Sequence, residues 1–250
     1  MSWSSTAHLT KRPPSALCLR PPEPPPAGPL ACPPLPSVPV SERSVMSSAD
    51  PQMFPLPHDR AAQLRQLTHE LATGLARQLD APQPPVRRLI NEGLARLDSA
   101  RARYRHSKRV DDATAVRLAM DLRIIRIRDE AWYLAHTEPV TMCAMLLDVS
   151  ERTAPELWAP VGAVLGAALW AHGRLDLAHR TVHEVLTIEP SYPMAQMLDV
   201  ALHFGIPETI FRTRLLSAAD WDIEMGDPVP HWLWPLQRTL AVYLHTDRDD

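Results

Sequence analysis

Lysine is nearly missing from this chain. Only Lys11 and Lys108 occur, and arginine carries the positive charge. The formal net charge is −3, which singles out neither an acidic nor a basic class of partner. Cysteine is also sparse. Cys18, Cys32 and Cys143 are odd in number and none is spaced CxxC. That excludes a disulfide framework and fits a reducing compartment, so a cytoplasmic location is expected. Near the N-terminus prolines stand where an apolar h-region would be needed, and no secretory signal is expected. The longest apolar run, 157–171, falls short of the roughly 20 residues that a membrane span requires, so no membrane partner is expected. Strand-like apolar runs are missing as well, which leaves helix as the regular element.

Proline is what the chain has in excess, with 27 residues, fifteen of them before His58. Trp3 and Phe54 are the only aromatics there, and proline removes backbone donors throughout. Residues 1–57 are therefore expected to be a disordered proline-rich tail. Such a tail reads either as a polyproline ligand for a partner groove or as inert sequence. Met46 and Met53 are alternative starts to Met1 that would leave most of it untranslated. The remaining stretch, about 190 residues, is long enough for a core of its own.

The chain is organised around residues 160–202. After Pro160, 161–171 is apolar or small throughout, which predicts a helix buried on most sides. Gly162 and Gly166 are four apart on one face, where small residues let another backbone approach. Gly173 suits a left-handed helix end. Leu175, Ala178, Val182, Val185 and Leu186 then recur at three- and four-residue steps, a second amphipathic helix. Ala178 is small where the two helices should cross. Pro190 stops the second helix, because the residue before a proline avoids the helical region. Tyr192, Ala195, Leu198, Val200 and Leu202 predict a third helix, ended by Gly205. The order of Gly166, Gly173, Ala178, Pro190 and Tyr192 is that of a tetratricopeptide-like hairpin. Such a repeat runs to about 34 residues, and only one unit plus the first helix of a second is visible.

Upstream, Leu64, Leu67, Leu71 and Leu75 predict one amphipathic helix and Val86, Leu89, Ile90, Leu94 and Leu97 another. Residues 81–85 break them, so an antiparallel hairpin is expected. The second helix runs into a basic cluster of Arg101, Arg103, Arg105, Lys108 and Arg109, preceded by Arg87, Arg88 and Arg96. Cations of this kind could displace counterions from a nucleic acid. They also fit a solvated helix end, where positive charge opposes the helix dipole. Tyr104 alone interleaves them, and no groove-reading motif accompanies them.

Asp111 and Asp112 read as caps for a helix over 113–122. Arg128 and Asp129 read as an ion pair at the start of a helix carrying Trp132 inward, the alternative being a buried acid in a site. Pro139 opens a helix in which Cys143 is a core residue. His179 and His183 are spaced i, i+4, the geometry of a zinc pair, but Arg180 stands where a metalloprotease has glutamate and no third ligand is evident. A short helix is expected over 207–218. Trp221, Trp232 and Trp234 punctuate a partly ordered segment over 219–250, either docked on the bundle or exposed as a contact.

Several of these residues together resemble a known family. Arg128-Asp129-Glu130-Ala131-Trp132, the run 165–173 followed by Ala178, then Pro190-Ser191-Tyr192, Ala195, Leu198, Leu202, Gly205 and Pro207 match in order and spacing. Residues 111–208 resemble the C-terminal part of the actinobacterial family called domain of unknown function 4192. The resemblance implies no activity, no cofactor and no catalytic residue.

The sequence thus predicts an all-α helical bundle over 58–218 ending in a tetratricopeptide-like hairpin. The expected function is a non-enzymatic module for a protein or peptide partner. A nucleic-acid role for the arginine cluster at 87–109 is the alternative. A metal or enzymatic site near His179 and His183 is the second alternative.

Overall fold

The computed structural model describes residues 58–213, 216 and 218–246, all within the compact unit Pro51–Asp250. The proline-rich stretch expected over 1–57 lies outside the described residues. Among the described residues every regular element is helical. The order is α1 (His58–Leu79), α2 (Val86–Arg105), α3 (Asp112–Asp121), α4 (Ile125–Thr137), α5 (Pro139–Ser150), α6 (Pro155–Ala171), α7 (Leu175–Ile188), α8 (Pro193–His203), α9 (Glu208–Arg212), α10 (Ala218–Met225), a 3₁₀ turn (Pro230–Leu233) and α11 (Trp234–Thr246). None of these helices is long and apolar enough to cross a membrane.

Local chemistry sets the boundaries. Proline opens α5, α6 and α8, where its missing N–H costs nothing. The Asp111 carboxylate accepts the Thr114 amide at 2.8 Å and caps α3. Gly173 and Gly205 end α6 and α8 at φ +77° and +60°. The amides that follow them, Arg174 and Ile206, donate five residues back to Leu169 and Ala201. That bond satisfies end carbonyls that the helix leaves bare.

Helix α6 is the centre of the bundle. Its residues from Leu157 through Trp170 are all buried, and α3, α4, α5, α7, α8 and α11 pack on it. A side chain of valine or leucine size buried this way contributes about 1.5–3 kcal/mol. The helix starts at Pro155, before the expected position, and contains Pro160 in its interior.

The α6–α7 crossing lies where the small residues placed it. A Cβ on Gly166 would sit 2.8 Å from Val182 Cγ2 and 3.9 Å from the Ala178 carbonyl. On Gly162 it would sit 2.7 Å from Val185 Cγ2. Ala178 is fully buried. Helix α8 then packs on α7 and α6. Tyr192 precedes α8 as its N-cap residue rather than lying within it. Leu175 and Val200, expected as packing positions, are half exposed at 51% and 52%.

Two further expectations change. The main neighbours of α1 are α3 and α11, and those of α2 are α3, α4 and α5, so α1 and α2 do not form a hairpin with each other. The C-terminal helix supplies what α1 needs, burying Leu236, Leu240 and Tyr243. The helix expected over 207–218 ends at Arg212, and a separate helix begins at Ala218.

Candidate functional site

A groove of about 630 Å³ opens beside the N-terminal part of α4. Helix α4 contributes Arg128, Asp129 and Trp132 to it. The start of α8 adds Pro193, Met194 and Met197. Ile210 and Phe211 of α9, Leu216 before α10 and Trp221 of α10 complete the lining.

Sequence folds each wall into place through a separate anchor on α4. Arg126, almost fully buried, reaches Asp222 of α10 at 3.0 Å and Glu130 of its own helix at 2.9 Å. His136 Nδ1 lies 2.8 Å from Glu208 Oε1 at the start of α9. An aromatic ladder backs the wall. Trp132 and His136 have centroids 5.5 Å apart, His136 and Trp170 6.0 Å, and Trp170 and Phe211 5.0 Å. Edge-to-face rings of this kind favour one arrangement over others. Phe211 therefore lines the groove on one side and packs against α6 on the other.

The polar end of the groove is closed on itself. Arg128 donates to Asp129 Oδ1 from Nε at 2.9 Å and from Nη2 at 2.7 Å. It also donates to the Tyr192 hydroxyl. Burial works against the Arg128 charge, but Asp129 and Tyr192 outweigh it and hold its pKa above the ordinary value. Burial pushes the Tyr192 phenol up, against the pull of Arg128 and Arg123. Among the described residues the lining holds no histidine, cysteine, serine or threonine. The Asp129 carboxylate is committed to a guanidinium.

The sequence placed Arg128, Asp129 and Trp132 together, and the groove uses all three. Tyr192 touches it through Arg128. Gly166, Gly173 and Ala178 serve the α6–α7 crossing instead, and Pro190 is exposed beyond α7. Met194, Met197, Ile210, Phe211 and Trp221 were not singled out as a group. They come from three elements, and no local spacing links them.

The basic cluster lies elsewhere, where α2 ends against α5. Arg101 and Arg105 both pair with Glu138 at the α5 start. Arg101 also pairs with Asp98. Arg103 donates to the Arg109 carbonyl at 3.1 and 2.8 Å. Arg109 pairs with Asp148 and with Glu151. Arg152 and the Tyr104 hydroxyl reach the same buried Asp148. Lys108 is exposed. Much of the cluster's charge is thus matched from α5.

His179 and His183 are both exposed on α7. Among the described residues no cluster of three His, Cys, Asp or Glu side chains could hold a metal ion. Cys143 is buried on α5. Burial pushes its thiol up to about 11 against the pull of Arg174, which leaves it protonated at neutral pH.

No curated protein and no solved structure matches the chain. The family model named Domain of unknown function (DUF4192) matches residues 38–209, more than half of the 250 residues and well upstream of residue 111, where the sequence resemblance began. The matched region includes Arg128, Asp129, Trp132, Tyr192 and the helices α1 to α8, of which α4 and α8 line the groove. The chain therefore belongs to the DUF4192 family, a domain of unknown function.

Proposed function

We propose that the protein is a non-enzymatic interaction module whose groove takes an apolar segment of a partner protein. One observation carries the reading. Among the described residues the groove is lined mainly by aromatic, methionine and aliphatic side chains, and its charged residues, Arg128 and Asp129, are paired with each other. Methionine adapts to irregular partners, and amphipathic segments dock in grooves of this composition. The tetratricopeptide-like character of α6, α7 and α8 belongs to the same proposal. It rests on the small-residue crossing at Gly166 and Ala178. A cytoplasmic location is its compartment, on the grounds of an odd number of cysteines without CxxC spacing.

The test is selection of displayed peptides on the full chain. Peptides with spaced apolar anchors are expected. Met197→Glu should abolish their binding, while Arg180→Gln, on the exposed face of α7, should leave it intact. Peptide binding that survives Met197→Glu and Phe211→Ala would place the contact elsewhere and remove the groove reading.

A further inference from the structure

The shortest helix of the groove lining is also its least anchored. Helix α9 has five residues, none of them buried, and contributes Ile210 and Phe211 to the lining. One helical turn is not stable by itself, so α9 depends on what it docks against. It packs on α4, and the Phe211 ring meets Trp170 of α6 at a centroid distance of 5.0 Å. Its polar tie to α4 is the 2.8 Å contact between Glu208 Oε1 and His136 Nδ1. Upstream stands Gly205, at φ +60° with open space where a Cβ would lie, a point at which the chain can turn without steric cost. An element with so few buried contacts opens locally before the rest of the fold does.

His136 stands at the other end of that tie under opposing demands. Its side chain is fully buried, and Nε2 has no hydrogen-bond partner among the described residues. The rings of Trp132 and Trp170 flank it at 5.5 and 6.0 Å. Neutral imidazole suits these surroundings, with the Nδ1 proton donated to Glu208 and none on Nε2. A second proton would put a charge and an N–H donor where no acceptor faces it. The charged groups that bear on the ring are Glu208 and Arg212, both on α9. Among the described residues, α2, α5, α6 and the 3₁₀ turn also pack on α4 but bring no charge to it. Glu208 favours the imidazolium, yet its Oε2 lies 4.0 Å from Arg212 Nε, which draws on the same carboxylate. Burial outweighs Glu208 and keeps the ring below its ordinary pKa. We propose that His136 is a proton-operated latch on the groove: the neutral ring holds α9 docked, and the imidazolium releases α9, taking Ile210 and Phe211 out of the lining. Undocking lets water replace Glu208 and reach the charged ring. The inference rests on the groove reading for its consequence, an occupant held near neutral pH and released in acid. The latch itself needs no partner.

Amide exchange of the full chain, followed by NMR from about pH 8 to about pH 5, tests the latch across the ordinary histidine pKa. The Ile210 and Thr213 amides donate to the Pro207 and Thr209 carbonyls and are freed when α9 undocks. Corrected for the intrinsic rate, their exchange should rise below about pH 6.5, by up to about tenfold per pH unit, because the open state takes one more proton. Amides in the middle of α6 should show no such rise. His136→Gln keeps a donor for Glu208 and cannot titrate, so its α9 exchange should be flat. Glu208→Gln, which loses the charged acceptor, should exchange severalfold faster than wild type even at the alkaline end. A flat wild-type profile overturns the latch. So does the same rise in His136→Gln, an equal rise in α6, or an unchanged rate in Glu208→Gln. Should His136→Gln fail to fold, Arg212→Gln decides. It leaves Glu208 free to hold the imidazolium and should flatten the rise, and a rise as steep as wild type overturns the inference. A displayed peptide bound equally at both ends of the pH range, by a protein whose α9 opens in acid, supports the latch and removes the groove reading instead.

Discussion

Arg123 Nη2 donates to the carbonyl of Glu156 at 2.8 Å. That carbonyl would ordinarily accept the amide four residues on, but the residue there is Pro160. The guanidinium thus supplies the donor that the proline withholds, inside the most buried helix of the bundle. Arg123 is 6% exposed. It also pairs with Glu189 beyond α7 at 2.8 Å and lies 5.7 Å from the Tyr192 ring centroid. One side chain therefore ties the α6 start to the α7–α8 turn.

Arg123→Met should leave the half-buried Glu156 carbonyl without that donor, costing about 1–3 kcal/mol. The loss should shrink in a Pro160→Ala background by about 1 kcal/mol, because the new amide can bond that carbonyl. Urea melts of the wild type, both single variants and the double variant give the coupling directly. Equal losses in both backgrounds would show that Arg123 acts only through Glu189 and Tyr192.

The second expectation concerns pH. His136 Nδ1 faces Glu208, while Nε2 is buried without a hydrogen-bond partner beside the two tryptophans. The tautomer that satisfies this geometry carries its proton on Nδ1 and donates it to the carboxylate. A second proton on Nε2 would have no acceptor. Burial accordingly lowers the His136 pKa, against the pull of Glu208 and with the help of Arg212. In the unfolded chain histidine titrates near about 6.5, so below that pH the unfolded state binds more protons than the folded one. The stability contributed by neutral His136 is therefore present above about pH 6.5 and declines as pH falls toward the lower folded value. Urea midpoints between pH 8 and 5 should fall more steeply in wild type than in His136→Gln. Parallel pH profiles would show that the ring titrates alike in both states.

The organising hairpin was legible because its signals are local. Glycine at Gly173 and Gly205, proline at Pro139, and the three- and four-residue apolar steps each act within one or two turns. Gly162, Gly166 and Ala178 could be assigned to a helix crossing because close backbone approach admits few other residues. The partners of α1 were not legible. Short separation in the chain pointed to α2, but the neighbours are α3 and α11, the latter encoded more than 150 residues later. Pro160 was read as a boundary because proline ends most helices, and the tertiary donor from Arg123 overrides that rule. The Arg128–Asp129 pair was visible as adjacent opposite charges, and the ion pair is there at 2.7 Å. The groove around it was not, because its other walls come from α8, α9 and α10.

The third expectation concerns the arginine cluster. Arg101 and Arg105 converge on Glu138, whose carboxyl is held below its usual range: burial pushes it up, but the two guanidiniums outweigh that. Arg105 is largely exposed, so its share of the pair is screened and worth at most about 1 kcal/mol. Changing Arg101, Arg103 and Arg105 together to Gln should cost about 1–2 kcal/mol, mostly through Arg101 and Glu138. Duplex DNA retention on filters should be weak before and after. Tight wild-type binding with a log–log salt slope of about −0.9 per phosphate contact, lost in the triple variant, would instead establish a phosphate-binding patch.

The fourth expectation separates two kinds of small residue in the hairpin. Ala178 is fully buried at the α6–α7 crossing, and Gly166 faces Val182 across it. A larger side chain at either position must push the helices apart. Ala178→Trp and Gly166→Leu should each cost about 1–3 kcal/mol, at the upper end for tryptophan. Gly173 differs, since nothing lies within 4 Å of the position its Cβ would take, yet its φ is +77°. Its requirement is conformational only. Gly173→Val should cost about 1–2 kcal/mol, and Gly173→Asn clearly less, because asparagine tolerates the left-handed region. Arg180 is exposed, so Arg180→Gln should stay within about 0.5 kcal/mol. Urea midpoints should therefore fall most for the two crossing variants, next for Gly173→Val, and least for Gly173→Asn and Arg180→Gln. A Gly166→Leu variant as stable as wild type would mean that α6 and α7 do not touch at that point. The proposed tetratricopeptide-like reading of the hairpin would then lose the close approach on which it depends. An equal loss for Gly173→Asn and Gly173→Val would show instead that a side chain of any kind is excluded there, and that packing rather than φ governs the turn.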